Sequence, residues 1–287
     1  MKSEQIVRQR EIVPIAISRS ARSWMNQLWI LVQKRYEYFM IPVVVGLFLY
    51  AWQLIISSGR FPDFVLPTPL SVWEKFLKVV AAGELWLHTS VTLSEALLGF
   101  GLGLIVALVL GYILGRRPAM EKILSPYIVG AKSVNVLAIA PLFIIWFGQG
   151  IVAKALIAFM MIFFPMLVNT IVGIRSVNEE QRELMRSYST PPWQVFTLLE
   201  VPSALPLLLG GMKIGLSRSM MGAIVAEYLG ASEGLGFIVN MGTGGGAADP
   251  TLTFVGIIMI CIVTLILYGS VGLLEGIFLR SRQRDIE

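Results

Sequence analysis

The sequence predicts an all-α integral membrane protein with six transmembrane helices and a helix-turn-helix on its basic side. Three observations carry this expectation. Of 287 residues, 56% are hydrophobic and only 14% charged, against about 25% charged in an average soluble domain. Six stretches are long and apolar enough to cross hydrocarbon, which takes ~20 residues at ~1.5 Å rise each. The basic residues outside those crossings fall mostly on one side of them.

The six runs are residues 38–57, 93–114, 123–147 (interrupted by Pro126 and Pro141), 155–173, 207–229 and 252–279. An even number of crossings places both chain ends on the same side. That side carries Lys2, Arg8, Arg10, Arg19, Arg22, Lys34 and Arg35, then Arg116, Arg117 and Lys122. Arg175, Arg182 and Arg186 follow in a long connection, and Arg280, Arg282 and Arg284 at the end. The opposite side has Arg60, Lys75, Lys78 and Lys154. Loops rich in Lys and Arg stay in the cytoplasm, so both termini are expected there. The formal charge of +5 is thus a topology signal rather than a nucleic-acid footprint. The organisation that follows is a cytoplasmic segment 1–37, a membrane domain 38–279 and a cytoplasmic tail 280–287.

Within residues 1–37, "AISRSARSWMNQLWILVQKR" suits either a helix lying on the membrane surface or a mobile tail. No cleavable signal peptide is evident, because no short basic segment leads directly into an apolar one. Residues 61–70 are proline-rich. Beyond them Val72, Trp73, Phe76, Leu77 and Val80 recur at helical spacing, as in an interfacial helix. Gly99, Gly103, Gly111 and Gly115 form two small-xxx-small pairs, which let helix backbones approach closely in lipid. The glycine-rich stretch 242–249 is expected to be flexible and extracytoplasmic. It is no phosphate cradle, since no strand precedes it and no lysine follows. Cys261, the one cysteine, lies in an apolar run and reads as packing; the one histidine, His88, cannot build a multi-histidine metal site.

The segment "ELMRSYSTPPWQVFTLLEVPSALP", residues 183–206, is too polar to span a bilayer. It reads as the core of two short helices. Asn178 caps the first, with Glu179 and Glu180 at its positive end and Gln181 at the capping-box position. Thr190 caps the second, Pro191 takes its first position and Pro202 ends it. Leu184, Met185 and Tyr188 are apolar on the first helix; Trp193, Phe196 and Leu199 form the stripe of the second. A polar surface with aromatic insertions suits docking of a soluble partner.

This segment resembles the coupling motif of ABC-importer permeases: Glu-Ala-Ala, three residues, Gly, nine residues, Ile, any residue, Leu-Pro. Glu183 stands at the Glu position, Ser189 at the Gly, Leu199 at the Ile and Val201-Pro202 at the Leu-Pro; Leu184-Met185 replace Ala-Ala. The resemblance covers residues 64–240, through "LPTPLSVWEKF", "APLFIIWFGQG", "FFPMLVNTIVGIRSV" and "AEYLGASEGLGFIV". It is to the branch that imports nitrate, bicarbonate, taurine, alkanesulfonates, thiamine-pyrimidine precursors and riboflavin. Glu95 departs from the arginine usual in that branch.

The resemblance implies the type I importer architecture in a bacterial inner membrane. Two permease copies, as a homodimer, line one path. Two cytoplasmic ATPases grip residues 178–202, with Glu183, Ser189, Trp193, Leu199 and Pro202 as coupling residues. An extracytoplasmic binding protein delivers the solute. The chain itself is then a transport subunit rather than an enzyme and holds no cofactor. Consistent with that, it contains no G-x-x-x-x-G-K-[ST] to cradle ATP, so the ATP is used by the partner.

A secondary transporter or channel is the alternative, since such proteins place acids in the membrane for ion coupling. Glu95, Glu227 and Glu275 are the candidates, but they fall near span ends, where capping or interfacial roles suffice. Lys213 is close enough to an end to snorkel. Lys132 and Arg218 are the candidates for the translocation path; Arg218 lies ~18 Å along its helix from Pro206. An intramembrane hydrolase pairing His88 with a serine has no supporting motif. Glu95, replacing a basic residue near the outer face, tilts the solute toward a vitamin-type compound such as riboflavin or a thiamine precursor.

Overall fold

In the computed structural model, residues 40–59, 62, 65–244 and 248–284 are described, with side chains to residue 277. The surface helix or tail expected before residue 38 lies outside them. The chain divides into two units, Met1–Phe61 and Pro62–Glu287. In the first, α1 (Met40–Ser57) is 18 residues long, enough to cross a membrane, and Phe48 meets Trp52 edge-on one turn later.

The second unit is organised around three long helices: α3 (Glu84–Arg116), α6 (Ile151–Arg175) and α9 (Val201–Tyr228). α3 and α6 run parallel, pressed together by the glycines picked out in the sequence. Gly99 faces Ala158, Gly103 faces Ile162, Gly111 faces Thr170 and Gly115 faces Ile174. Ala107, fully buried midway, completes a ridge of small residues at every fourth position. Both helices thus advance four residues per contact, the spacing of ridge-into-groove packing. α9 runs antiparallel to α6 and also touches α3: Gly222 meets Ala158, Gly215 meets Ile162 and Gly173 meets Ala204, while Ser219 Oγ donates to Ala96 O of α3 at 2.7 Å. Ile162, with no exposed surface, therefore packs against Gly103 of α3 and Gly215 of α9 at once. Because lipid is as apolar as these side chains, close backbone approach and dispersion hold this trio.

The third apolar run is not one straight span. It forms α4 (Pro118–Ser133) and α5 (Val136–Phe147), bent by 85° at the break. Pro126 and Pro141 each lie inside one of the halves, so neither proline makes the elbow. It falls where Val134 turns extended and Asn135 caps α5, accepting from the Leu137 N–H at 3.0 Å.

The helix expected after the proline-rich stretch is α2 (Pro69–Ala81), capped by Thr68. It buries Val72 and Val79 but leaves Trp73 and Leu77 exposed, so its inner face is narrower than the apolar spacing implied. α10 (Leu235–Thr243) and α11 (Pro250–Arg284) close the unit. α11 continues past residue 279, carrying Arg280, Arg282 and Arg284 within the helix. Of the glycine-rich stretch, residues 245–247 lie outside the described residues. Asp249 beyond them is fixed: it caps α11 through the Leu252 N–H and pairs with Lys75 of α2 at 2.7 Å. Burial opposes its charge, but Lys75 and the Leu252 N–H outweigh that and hold the carboxyl below its ordinary range.

Candidate functional site

The polar segment does fold as a helical turn. α7 (Glu179–Ser187) is capped by Asn178, which accepts from the Glu180 N–H at 3.0 Å. It ends in a Schellman motif: the Ser189 N–H bonds Arg186 O at 2.9 Å and the Thr190 N–H bonds Met185 O at 3.1 Å. Ser189 has φ 52°, the one non-glycine residue with positive φ among those described. The position is left-handed even though its side chain is not glycine, which costs roughly 1 kcal/mol. Ser189→Gly is therefore expected to raise the thermal midpoint and Ser189→Val to lower it; equal midpoints for all three would show that the turn carries no strain.

The second half corrects two expectations. Thr190 does not cap: α8 is Pro192–Val195 with Pro191 at the cap position, and the Thr190 hydroxyl sits against Met185 Sδ at 3.7 Å. A residue before proline is biased toward extended backbone, and Pro191, preceding Pro192, takes that conformation with ψ 149°. Nor does Pro202 end the helix. A π turn, Phe196–Glu200, leads directly into α9, so that Pro192–Tyr228 is one helical path of 37 residues. Proline lacks the N–H and crowds the carbonyl four residues earlier; the wider turn just before Pro202 absorbs both effects.

Glu183, at the Glu position of the motif, is exposed, and its side chain makes no hydrogen bond or ion pair among the described residues. The acid that holds the turn is Glu200, which has no exposed surface. It accepts from Arg116 Nε at 3.0 Å and from Tyr112 OH at 3.1 Å, both on α3, and lies 3.6 Å from Arg182 Nη1 of α7. Arg116 also lies over the Tyr112 ring, whose edge meets Phe196. Glu200 thus ties both arms of the turn to the end of α3. Leu199 is buried beside it, while Leu184 on α7 and Tyr188 at its C-terminal cap are exposed. Trp193 is also exposed, but it borders an apolar groove along α3 and α9.

Lys132 and Arg218 come together. Both line a cavity of ≈ 460 Å³ that opens at the α4–α5 elbow between α6 and α9. Asn135 and Asn169 add amides, and Met160, Met161, Phe164 and Met221 an apolar wall. Arg218 has no ion-pair partner among the described residues.

The membrane acids are each engaged within the subunit. Glu95 is buried and bound by Lys154 at 2.6 Å. Glu227 is buried, accepting from Thr92 Oγ1 at 2.6 Å and from the Gly236 N–H at 2.7 Å. Glu275 pairs with Lys213, which therefore turns to α11 instead of snorkelling. Glu95 thus packs inside the subunit against Lys154 of α6. His88 Nδ1 accepts from the Gly234 N–H at 2.9 Å, which leaves that nitrogen unavailable to a serine.

A polytopic helical domain, a solute-sized cavity at a broken span and a helical turn wired to the bundle define a membrane transport subunit. The chain belongs to the family described as binding-protein-dependent transport system inner membrane component, which matches residues 99–276. It is 40% identical to the riboflavin transport system permease protein RibX of Chloroflexus aurantiacus, over 84% of this chain and 89% of that one. It is 32% identical to a putative aliphatic sulfonates transport permease protein of Bacillus subtilis, over 87% and 90%. With the taurine transport system permease protein of Escherichia coli it shares 29%, over 78% and 82%. Its fold matches a chain of the inward-facing MetNI methionine ABC transporter, TM-score 0.54 at 17% identity, covering 69% of this chain and 95% of that one. An amino acid ABC transporter solved with histidines gives 0.56 at 17%, covering 70% and 97%. The fold is the type I ABC-importer permease fold.

Proposed function

We propose that the chain is the permease of an ATP-driven importer for a riboflavin-type ring compound, working as a homodimer with two cytoplasmic ATPases and an extracytoplasmic binding protein. The observation that carries the solute is the identity to the riboflavin permease, 40% against 32% and 29% for the sulfonate and taurine relatives. The cavity at the elbow supports it, since methionines and Phe164 suit a flat ring while the two amides and two cations suit its polar edge. Lys132 and Arg218 in that same cavity are what favours the second reading, a sulfonate, taurine, nitrate or bicarbonate anion. A secondary transporter is disfavoured because Glu95, Glu227 and Glu275 are each engaged within the subunit.

ATP binding would close the ATPases on residues 178–202, and the continuous path into α9 would carry the displacement to the cavity. ATP favours one access state only because its partner binds the two states unequally. The test is uptake by vesicles containing permease, ATPase and the cognate binding protein. Labelled riboflavin should accumulate with ATP, and Arg218→Ala should impair uptake while assembly persists. Accumulation of taurine or an alkanesulfonate instead of riboflavin would select the second reading.

Orientation is tested separately with single cysteines in a Cys261→Ala background. An impermeant thiol reagent on intact cells should label cysteines replacing Asp63, Gln149 and Gly245, but not those replacing Ser3, Ser187 and Ser281. Labelling at 187 from outside would overturn the topology and the coupling assignment together.

A further inference from the structure

We propose that the cleft between the basic end of α3 and the α8–α9 path is a binding site for an anionic phospholipid of the inner leaflet. One acyl chain lies in an apolar groove and the phosphate among arginines.

Two adjoining cavities make the site. The first is an apolar groove of ≈ 650 Å³, walled by Leu108, Val109 and Ile113 of α3 and by Trp193, Phe196 and Leu208 opposite. The second, ≈ 380 Å³, is polar and is lined by Arg116, Arg182, Arg186 and Thr190. Arg116 and Pro192 border both. Along α3 the groove extends from Arg116 to Leu108, which is ~12 Å of helix. The cleft therefore begins at the charged end of the bundle and runs inward alongside apolar wall, the polarity of a lipid standing in its leaflet.

Charge in the polar cavity is not balanced. Three guanidinium groups meet the carboxylates of Glu200 and Glu179. Glu200 is taken up by Arg116, Arg182 and Tyr112. Arg186 is 68% exposed and reaches Glu179 only at 3.9 Å. Arg182 Nε is buried and makes no hydrogen bond, with Glu179 Oε2 3.8 Å away. One positive charge is left for a phosphodiester, and basic residues at this depth attract anionic headgroups. A soluble acidic partner would use the arginines but not the groove beneath them. A neutral lipid would use the groove but not the arginines. Trp193 at the junction suits the headgroup level, where aromatic rings with a polar edge collect.

The proposal rests on the reading that this end of the bundle is cytoplasmic, and its test keeps the two separable. A photo-cross-linking residue replaces Val109 in the assembled permease–ATPase complex, placed in nanodiscs of phosphatidylcholine with a minor fraction of phosphatidylglycerol. A probe replacing Ile266, exposed on α11, serves as the control. Adducts are identified by mass spectrometry. The probe at 109 should capture phosphatidylglycerol above its mole fraction, and the probe at 266 in proportion to it. Arg186→Ala should cut the enrichment at 109 about five-fold, the share of one basic residue near the surface. Capture of both lipids in proportion to composition at 109 overturns the proposal. So does capture of a peptide from the ATPase, a second copy or residues 40–57 of this chain. Proportional capture with the thiol-labelling topology intact removes the lipid site alone; labelling at 187 from outside removes the leaflet assignment instead.

Discussion

Replacing Glu200 by alanine is expected to cost the protein about 3 kcal/mol, because it strands arginines that face a buried carboxylate. The low end of the buried-pair range applies: Arg116 and Arg182 keep 33% and 20% of their side-chain surface in contact with solvent, so water recovers part of the loss. The consequence should be local. Without Glu200, α7 loses its tie to α3 through Arg182, and Tyr112 loses its acceptor. The thermal midpoint of the solubilised permease–ATPase complex should fall, and binding-protein-stimulated ATPase activity should uncouple from uptake. Glu183→Ala is the comparison. Its side chain is exposed and makes no hydrogen bond within the described residues, so its thermal effect should stay within ~0.5 kcal/mol. Any loss of ATPase co-purification in Glu183→Ala would then report a contact to the partner. Equal midpoints for Glu200→Ala and wild type would show that the turn is held by something other than this carboxylate.

Gly99→Leu should prevent α3 from seating on α6, whereas Gly101→Leu, two residues on, should be silent. A Cβ at Gly99 would meet the Ala155 carbonyl oxygen at 2.6 Å and the Phe159 nitrogen at 2.8 Å. These are backbone atoms and cannot rotate away. Only separation of the two helices makes room, and that strips contacts along the whole ridge down to Gly115. Overpacking of a core side chain costs ~1–3 kcal/mol, and a ridge held by close approach should exceed that. A Cβ at Gly101 meets nothing within 4 Å. Both variants add the same apolar volume to the same helix, so insertion is matched and only packing differs. Similar yields of monodisperse protein from the two would mean that α3 and α6 do not pack through this ridge.

The glycine ridge was legible because a four-residue period of small side chains has one physical use in lipid, and α6 provides the matching surface. The Asn178 cap and α2 were legible for a similar reason: each depends on neighbours within one turn. What was hidden depends on distance along the chain. Glu200 reads as a surface acid in a polar segment, yet Arg116 and Tyr112 lie 84 and 88 residues away. Glu95 looked like a charge at an interface until Lys154, 59 residues on, neutralised it inside the subunit. Glu227 finds Thr92 across 135 residues. Local pattern also misled at the prolines. Pro202 carries the signature of a stop, and the π turn before it, which lets the helix continue, has no composition of its own. The elbow between α4 and α5 fell between two prolines rather than at either.

That elbow shapes the electric field as well as the cavity. Where the span bends by 85°, a recess bordered by the polar side chains of Lys132, Asn135 and Arg218 is open to water, which would replace low-dielectric hydrocarbon there. The transmembrane voltage then drops mainly across the remaining dry layer. Each elementary charge carried across the full potential is worth ~2.3 kcal/mol per 100 mV. A neutral isoalloxazine would cross that layer without electrical work, whereas a sulfonate would cross it against a cell-negative interior. Clamping the vesicle potential should therefore leave uptake of the neutral ring unchanged and slow that of the anion, so the current that accompanies transport is itself a signature of the cargo.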